Sequence, residues 1–426
     1  YMRGETPYTF PIRIYPSVNK DTNVLKKEMY PKKDIYNNDI PSEQQIKYLE
    51  MIYTNMSDLQ QKLYNTIKTK ESNDDNTESL EGTDIQQRVQ VSNMIYPSKI
   101  LFNDDNLSSN FDIKNSYGET GLKRAMTIKD DKKFKVDYKD ETIKNYGEIF
   151  DYKNIENYSP KIKLLLDYIK KSEGIVLIYS KYIYSGIIPI ALSLEHLGYN
   201  KYNNNNLFNK NPKNKLKNKG SYIIISGNSK LSPNNTKEIN ICKSSENKNG
   251  DAIKIVIISE SGTEGLDFKN VRETHIFEPW YNVNRLEQII GRAVRNYSHF
   301  DLPEAKRNTT IFQYVNLTQK NKKESIDFRM YRISENKQKK ISVIEKIIKT
   351  NSIDCNLNEE ALSFKDITKN IITSQKTSKN ELKLIKSYNI GDKPNTRLCD
   401  YGECDFKCSQ KIDFDKINLD ESTYNK

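Results

Sequence analysis

From residue 159 onward the apolar positions of the chain switch repeatedly between two periods. Ile162, Leu165, Leu166 and Ile169 recur at helical spacing behind Ser159 and Pro160, which suit the N-cap and first helical position. Short apolar runs follow at 175–179, 222–226, 253–258, 274–277 and 310–315, the length and composition of buried strands. Between them, 186–197 reads as a helix with Pro189 in its first turn and Gly198 as its stop, and 284–295 reads as another. Strands alternating with helices predict a parallel sheet covered by helices, here a five-strand α/β lobe over about 155–320.

On either side the pattern is less regular. Residues 1–154 read as a partly helical accessory region, extended and aromatic up to Pro16. Ser42 and Gln45 form a capping box, and Ile46, Leu49, Tyr53 and Met56 predict a helix running to about Lys68. The stretches 69–84 and 129–140 are charged enough to be loops, with a short ordered segment at 86–96. Within the lobe, the Asn/Lys-rich 200–219 reads as a low-complexity insertion. Over 321–426, Ile341, Ile344, Ile347 and Ile348 predict a helical extension packed on the lobe, followed by a Cys-rich tail.

Composition narrows the function classes. A formal net charge of +11 makes an anionic partner such as nucleic acid plausible, although the Lys-rich runs fit a solvated surface equally well. No stretch approaches the ~18 apolar residues of a membrane span, so a soluble protein is expected. The opening Tyr1-Met2-Arg3-Gly4-Glu5 has neither the apolar run nor the cleavage site of a signal peptide and reads as a start partway through a longer protein. Five cysteines without a secretory signal suit a reducing compartment.

Two segments carry the candidate chemistry. Ser259-Glu260-Ser261-Gly262-Thr263-Glu264-Gly265-Leu266-Asp267-Phe268 follows the strongest strand, and ligands of parallel sheets bind beyond the carboxyl ends of strands. On the 284–295 helix, Leu286, Ile289, Ile290 and Ala293 form the core stripe. Arg285, Gln288, Arg292 and Arg295 then lie on a polar face, two guanidiniums one turn apart. Such a pair can grip a polyphosphate, because a planar, always-charged guanidinium matches phosphate oxygens bidentately. Gly291 in mid-helix points to close approach of a backbone or a ligand.

These segments resemble motifs V and VI of superfamily 2 helicases, most closely the early-transcription-factor and nucleoside triphosphate phosphohydrolase I type of large cytoplasmic DNA viruses. The resemblance extends to Ser159-Pro160-Lys161, Leu177-Ile178-Tyr179-Ser180, Glu278-Pro279-Trp280 and Ser298-His299. Less distinctively, 1–16 and 90–97 look like that group's inter-lobe linker. It implies a RecA-like parallel sheet with helices on both faces, the C-terminal lobe of an ATP-dependent helicase or translocase. By the same resemblance Arg292 and Arg295 reach the γ-phosphate and Gln288 orients their helix at the nucleotide. Gly265 and Asp267 close the cleft near the ribose. Tyr179, Ser180 and Ser259 face a nucleic-acid backbone, with a core role for Tyr179 as the alternative. The implied partners are DNA or RNA and viral transcription machinery, in host cytoplasm or virion, with ATP and Mg2+ as cofactors. His299 and Trp280 are expected to be structural.

The chain departs from that pattern in one large respect. It contains no Gly-Lys-Ser or Gly-Lys-Thr and no Asp-Glu-x-His box, so the groups that bind the nucleotide's phosphates and Mg2+ are expected on another lobe, and this chain alone is expected to be inactive. A rival reading is a non-catalytic binding or scaffold subunit, which would have no need of phosphate-facing arginines. In the tail, Cys355, Cys399, Cys404 and Cys408 are a candidate zinc site with loose spacing, or free structural thiols; Cys242 stands apart.

Overall fold

The computed structural model describes residues 10–67, 83–103, 112–129, 133–212, 220–260, 265–319, 322–362, 372–386, 401 and 406–411. The chain enters the main sheet at once, through β1 (Ile12–Ile14) and β2 (Ile52–Asn55), and continues through α1 (Asp58–Asn65), α2 (Thr83–Asn93), α3 (Lys99–Asn103) and α4 (Gly118–Ala125). A hairpin of β3 (Met126–Lys129) and β4 (Lys135–Tyr138) and the helix α5 (Asp140–Tyr146) complete this part. The lobe proper runs α6 (Pro160–Lys171), β5 (Ile175–Tyr179), α7 (Ile188–His196), β6 (Tyr199–Lys201), β7 (Gly220–Ile225), α8 (Asn235–Lys243), β8 (Ile255–Ile258), β9 (Val271–Ile276), α9 (Val283–Ala293) and β10 (Asn308–Leu317). Beyond it lie α10 (Ile326–Asn351), α11 (Cys355–Leu362) and a hairpin of β11 (Ile372–Lys376) and β12 (Leu382–Lys386).

All five expected strands form one parallel sheet in the order β1-β10-β9-β5-β8-β7-β6, and β2 adds to β10 as well. β1 and β2 take successive halves of the outer edge of β10, at Asn308–Thr310 and Tyr314–Leu317. The accessory region thus supplies two sheet strands. Successive residues of each central strand go to opposite faces. Val176 and Ile178 join one apolar cluster while Ile175, Leu177 and Tyr179 join the other. The first cluster takes in α6, α7 and the α1–α2 region; the second takes in α8, α9 and residues Leu25, Ile46 and Met51. α10 closes the β10 edge, sending Ile326, Met330 and Ile333 to one cluster and Phe328 and Tyr331 to the other.

Several expectations are corrected. No helix spans 42–68: Ser42–Gln44 is a single tight turn, Met51 and Ile52 point to opposite faces of the sheet, and the working capping box is Ser57 with Gln60. The helical spacing of Leu49, Tyr53 and Met56 arose because a strand and a turn happen to bury residues at similar intervals. The charged 129–140 region carries β4, in which buried Val136 stands between Lys135 and Asp137, just after buried Phe134. Part of the Asn/Lys-rich insertion is built into the fold, since Leu207 and Phe208 are buried and their backbone N–H groups donate to Glu195. On α10, Ile341, Ile344, Ile347 and Ile348 are exposed, so only its first half packs on the lobe. In the tail, Cys355 and Cys408 are joined in a disulfide, Cα–Cα 5.8 Å. Their sulfurs are therefore not the thiolates zinc requires. Cys399 and Cys404 lie outside the described residues, and a tail zinc site has no support. Cys242 is a free thiol whose pKa is pushed up to about 12 by burial, which keeps it inert.

Candidate functional site

Three strands deliver their carboxyl ends to one rim of the sheet. β8 ends at Ile258, and after Ser259 and Glu260 the chain returns at Gly265, φ +70°. A left-handed φ is open to glycine at little cost, and a Cβ added there would meet nothing within 4 Å. Gly265 to Phe268 is clipped to the end of α9. Phe268 N–H donates to the Arg292 carbonyl (2.9 Å), and the Arg292 guanidinium donates to the Leu266 carbonyl (3.1 Å).

α9 starts at Asn282, whose side chain accepts from Asn284 N–H, and buries Val283, Leu286, Ile289, Ile290 and Ala293 in the second cluster or beside it. The expected polar face is present: Gln288 is exposed and accepts from Arg285 (3.1 Å). The helix stops at Ala293, however, so Arg295 sits in the turn beyond it. From there its Nε donates to the Gly291 carbonyl (3.4 Å), and its Nη1 lies 2.6 Å from Asp267 Oδ2. Arg292 Nη1 lies 3.8 Å from the other Asp267 oxygen. One carboxylate therefore faces both guanidiniums, with Arg295 49% and Asp267 40% exposed in their side chains. No protein backbone crowds Gly291; a Cβ there would point into open space. An exposed pair such as Arg295–Asp267 contributes at most about 1 kcal/mol, so Arg295 can change partners cheaply.

Ser180 and Ser259 are placed differently from expectation, and Tyr179 takes the core role that was its alternative. Each is at most 3% exposed, which does not fit a nucleic-acid contact. Tyr179 is a core aromatic of the second cluster, and burial raises its pKa above the ordinary phenol value. Ser180 instead donates to Glu278 (3.1 Å). At the surface of the same rim, Lys181 Nζ lies 4.3 Å from the Trp280 ring centre and 3.3 Å from the Tyr281 hydroxyl, and Arg285 approaches the other side of that cluster, 5.7 Å from Trp280. His299 is structural as expected: buried between Val271 O (2.7 Å) and Ser298 Oγ (2.9 Å), its pKa is pulled down to about 4 by burial, so it is neutral.

Behind the rim lies a buried polar network that the sequence reading missed. Glu278, 1% exposed, accepts from Ser180, from the Lys181 backbone N–H and from Asn93 (3.2 Å). Burial pushes its pKa up to about 7, opposed by Lys161. Lys161, also wholly buried, donates to Asn93 (2.8 Å) and Asp327 (3.1 Å), and Asp327 further accepts from Ser92 (2.8 Å) and Asn316 N–H (3.0 Å). Lys161 sits one turn before Leu165 and two before Ile169, on the buried stripe of α6. A lysine on an apolar stripe is the signal that could have revealed it, because a buried charge must be paired. The network ties α2, α6, the β5 and β9 ends and α10 into one unit.

Fold and rim are similar to those of a helicase-type C-terminal lobe. Residues 160–297 match the family model of the Helicase conserved C-terminal domain. Among curated relatives, the chain is 30% identical over 306 residues to nucleoside triphosphatase I of Choristoneura biennis entomopoxvirus, covering 70% of this chain and 42% of that protein. It is 29% identical over 241 residues to the termination factor NPH-I homolog of African swine fever virus, covering 48% and 34%. The chain thus spans less than half the length of either relative. Among solved structures, the C-terminal part of the Fun30 ATPase domain aligns at 14% identity with TM-score 0.38, covering 67% of this chain and 88% of that one. Among the described residues no helix is long and apolar enough to cross a membrane.

Proposed function

We propose that this chain is the second lobe of an ATP-dependent superfamily 2 helicase or nucleic-acid translocase, acting in viral transcription. The observation that carries the reading is the pair Arg292 and Arg295, brought to one place on the rim where both guanidiniums face the partly exposed Asp267 carboxylate. In the working protein a polyphosphate takes the place of that carboxylate. Arg292 and Arg295 neutralise charge on the transferring phosphoryl group, and Gln288 keeps the helix in register with the nucleotide. Gly291 and Gly265 leave room where a side chain would intrude. Asp267, once released, is free to meet the ribose.

ATP and Mg2+ would supply the phosphoryl chemistry and would be held mainly by the first lobe, since this chain carries no Walker lysine. With Tyr179, Ser180 and Ser259 buried, the nucleic-acid contacts on this rim fall to Lys181, Trp280 and Tyr281, a cation among aromatic rings suited to backbone charge and base stacking. The test is ATP turnover. The purified chain should show none, whereas the chain joined to a Walker-bearing first lobe should hydrolyse ATP when nucleic acid is added. Turnover by the chain alone, surviving removal of contaminants, would overturn the shared-site reading.

A further inference from the structure

On the face of the lobe away from the arginines, two carboxylates and an imidazole converge where three separate parts of the chain meet. Glu148 and Asp151 sit in the turn after α5, and His196 is the last residue of α7. One donor atom from each lies within 4.8 Å of the other two. Glu148 and His196 are buried, and Asp151 is 9% exposed.

We propose that Glu148, Asp151 and His196 bind a divalent first-row metal ion that fastens the hairpin β3–β4 and the turn after α5 to α7. The spacing is the first reason. His196 Nδ1 and Asp151 Oδ2 stand 3.9 Å apart, beyond hydrogen-bond reach. Two ligands of one ion at bond lengths of ~2.1 Å stand roughly 3–3.5 Å apart, so a modest closure seats a cation between them.

The second shell is also in place. His196 Nε2 lies 3.0 Å from the Tyr138 hydroxyl, whose oxygen already accepts the Phe150 N–H at 3.1 Å. When the imidazole donates its Nε2 proton to Tyr138, Nδ1 presents a lone pair toward the carboxylates. A cation seated there is met by the imidazole nitrogen and both carboxylates, and outer hydrogen bonds of this type fix the tautomer of metal-binding histidines. Asp151 is oriented likewise, its Oδ1 accepting the Lys153 N–H (2.8 Å) while Oδ2 faces His196.

One nitrogen and two carboxylates suit Mn2+ or Zn2+, with oxygen-rich ligation favouring Mn2+ over the thiol-seeking ions. The role is a clamp. Tyr138 comes from β4, and Phe208 of the insertion packs edge-on against His196 at 5.3 Å, so the ion would lock hairpin, turn and insertion to the lobe together.

The experiment titrates Mn2+ into chelator-stripped protein and follows the electron paramagnetic resonance signal of free Mn2+, with Zn2+ as competitor and thermal melting in parallel. Mn2+ is the primary probe because its free ion is read directly by its paramagnetic resonance signal. Wild type should remove Mn2+ stoichiometrically, release it to Zn2+, and melt a few degrees higher with metal. Glu148→Gln and Asp151→Asn keep the shape of the site and should still fold, but bind Mn2+ about tenfold or more weakly. An unchanged free-Mn2+ signal with wild type would overturn the proposal, as would binding that both variants retain in full.

Discussion

At the amino end of β9, Arg272 is 2% exposed and enclosed by the chain: it donates to the Asn308 carbonyl (3.1 Å), the Asn308 side chain (3.2 Å) and the Lys376 carbonyl (2.5 Å). Gly174, φ +83°, makes room for it, since a Cβ there would lie 2.5 Å from the Arg272 side chain. Asn308 in turn donates to Gln375, so the tail hairpin β11–β12 is fixed over this end of the sheet. At the opposite rim, Arg292 and Arg295 share one half-exposed carboxylate and two backbone carbonyls. A buried guanidinium bonded to several protein groups serves to hold them. One that, like Arg295, is half exposed on a shared carboxylate is available to a ligand. The residue type says nothing about this, and only the count and burial of partners separates anchor from functional group.

The largest effect that would sharpen the contrast is on turnover. In the protein carrying both lobes, Arg295→Ala should lower ATP hydrolysis by roughly 10³–10⁵, or about 4–7 kcal/mol of transition-state stabilisation, while nucleic-acid affinity is largely kept. Lys should not rescue it, because an ammonium lacks the planar fork. Near-normal turnover in both Arg292→Ala and Arg295→Ala at saturating ATP and nucleic acid would remove the functional half of the comparison.

For the anchor, the expected loss is in folding. Arg272→Met strips the donors from the buried Asn308 and Lys376 carbonyls and should cost about 3–5 kcal/mol in urea unfolding, with amide protection lost across β11–β12 first. If Arg272→Met is as stable as wild type, the enclosure is incidental.

Two buried titrating groups extend the contrast to pH. Glu278 is raised from 4.5 to about 7, so its burial is costless at low pH and destabilising once the unfolded chain ionises it; stability from this group falls as pH rises from 4.5 to 7. His299 is lowered from 6.5 to about 4, so its contribution is full above pH 6.5 and lost as pH falls toward 4. Each is worth on the order of 3 kcal/mol across its window. Relative to wild type, Glu278→Gln should therefore gain stability with rising pH, and His299→Asn should lose it. Parallel slopes in the two variants, measured by unfolding at pH 5, 6 and 7.5, would refute the assignment of either group.

The lobe was legible where burial imposes a single period. All five central strands, α6 and α9 were readable because parallel strands enclosed on both faces must be apolar throughout and their covering helices must carry a stripe. β1 and β2 were not, since a three- or four-residue strand such as Ile12–Ile14 has no length in which a period can show. β4 was hidden by its own lysine and aspartate. In the site, Gln288 and Arg292 were legible as the polar face of their helix, whereas Arg295 lies in the turn beyond Ala293, and the Asp267 link between the arginines depends on how the 265–268 segment folds back, which no local pattern encodes. Ser180 and Ser259 were placed on the correct rim with the wrong exposure, because strand-end position fixes where a residue is but not whether Glu278 or solvent meets it.

The smallest expected effect is the most discriminating for the rim. Asp267→Asn removes the charge that both guanidiniums face but keeps the shape of the segment, and Phe268 still holds it to α9 through its backbone. Because the Arg295–Asp267 pair is about half exposed, its loss should change folding stability by no more than about 0.5–1 kcal/mol, less at high salt, and Arg295→Ala should match it. The freed arginines should nevertheless bind an inorganic polyphosphate more tightly than wild type, by a factor that shrinks as salt is raised, because the competing carboxylate has gone. Stability loss above about 2 kcal/mol would mean that Asp267 cages its arginines as firmly as Asn308 and Lys376 cage Arg272. In that case the rim would be a second structural anchor, and an incoming phosphate would have to break it before either arginine could act.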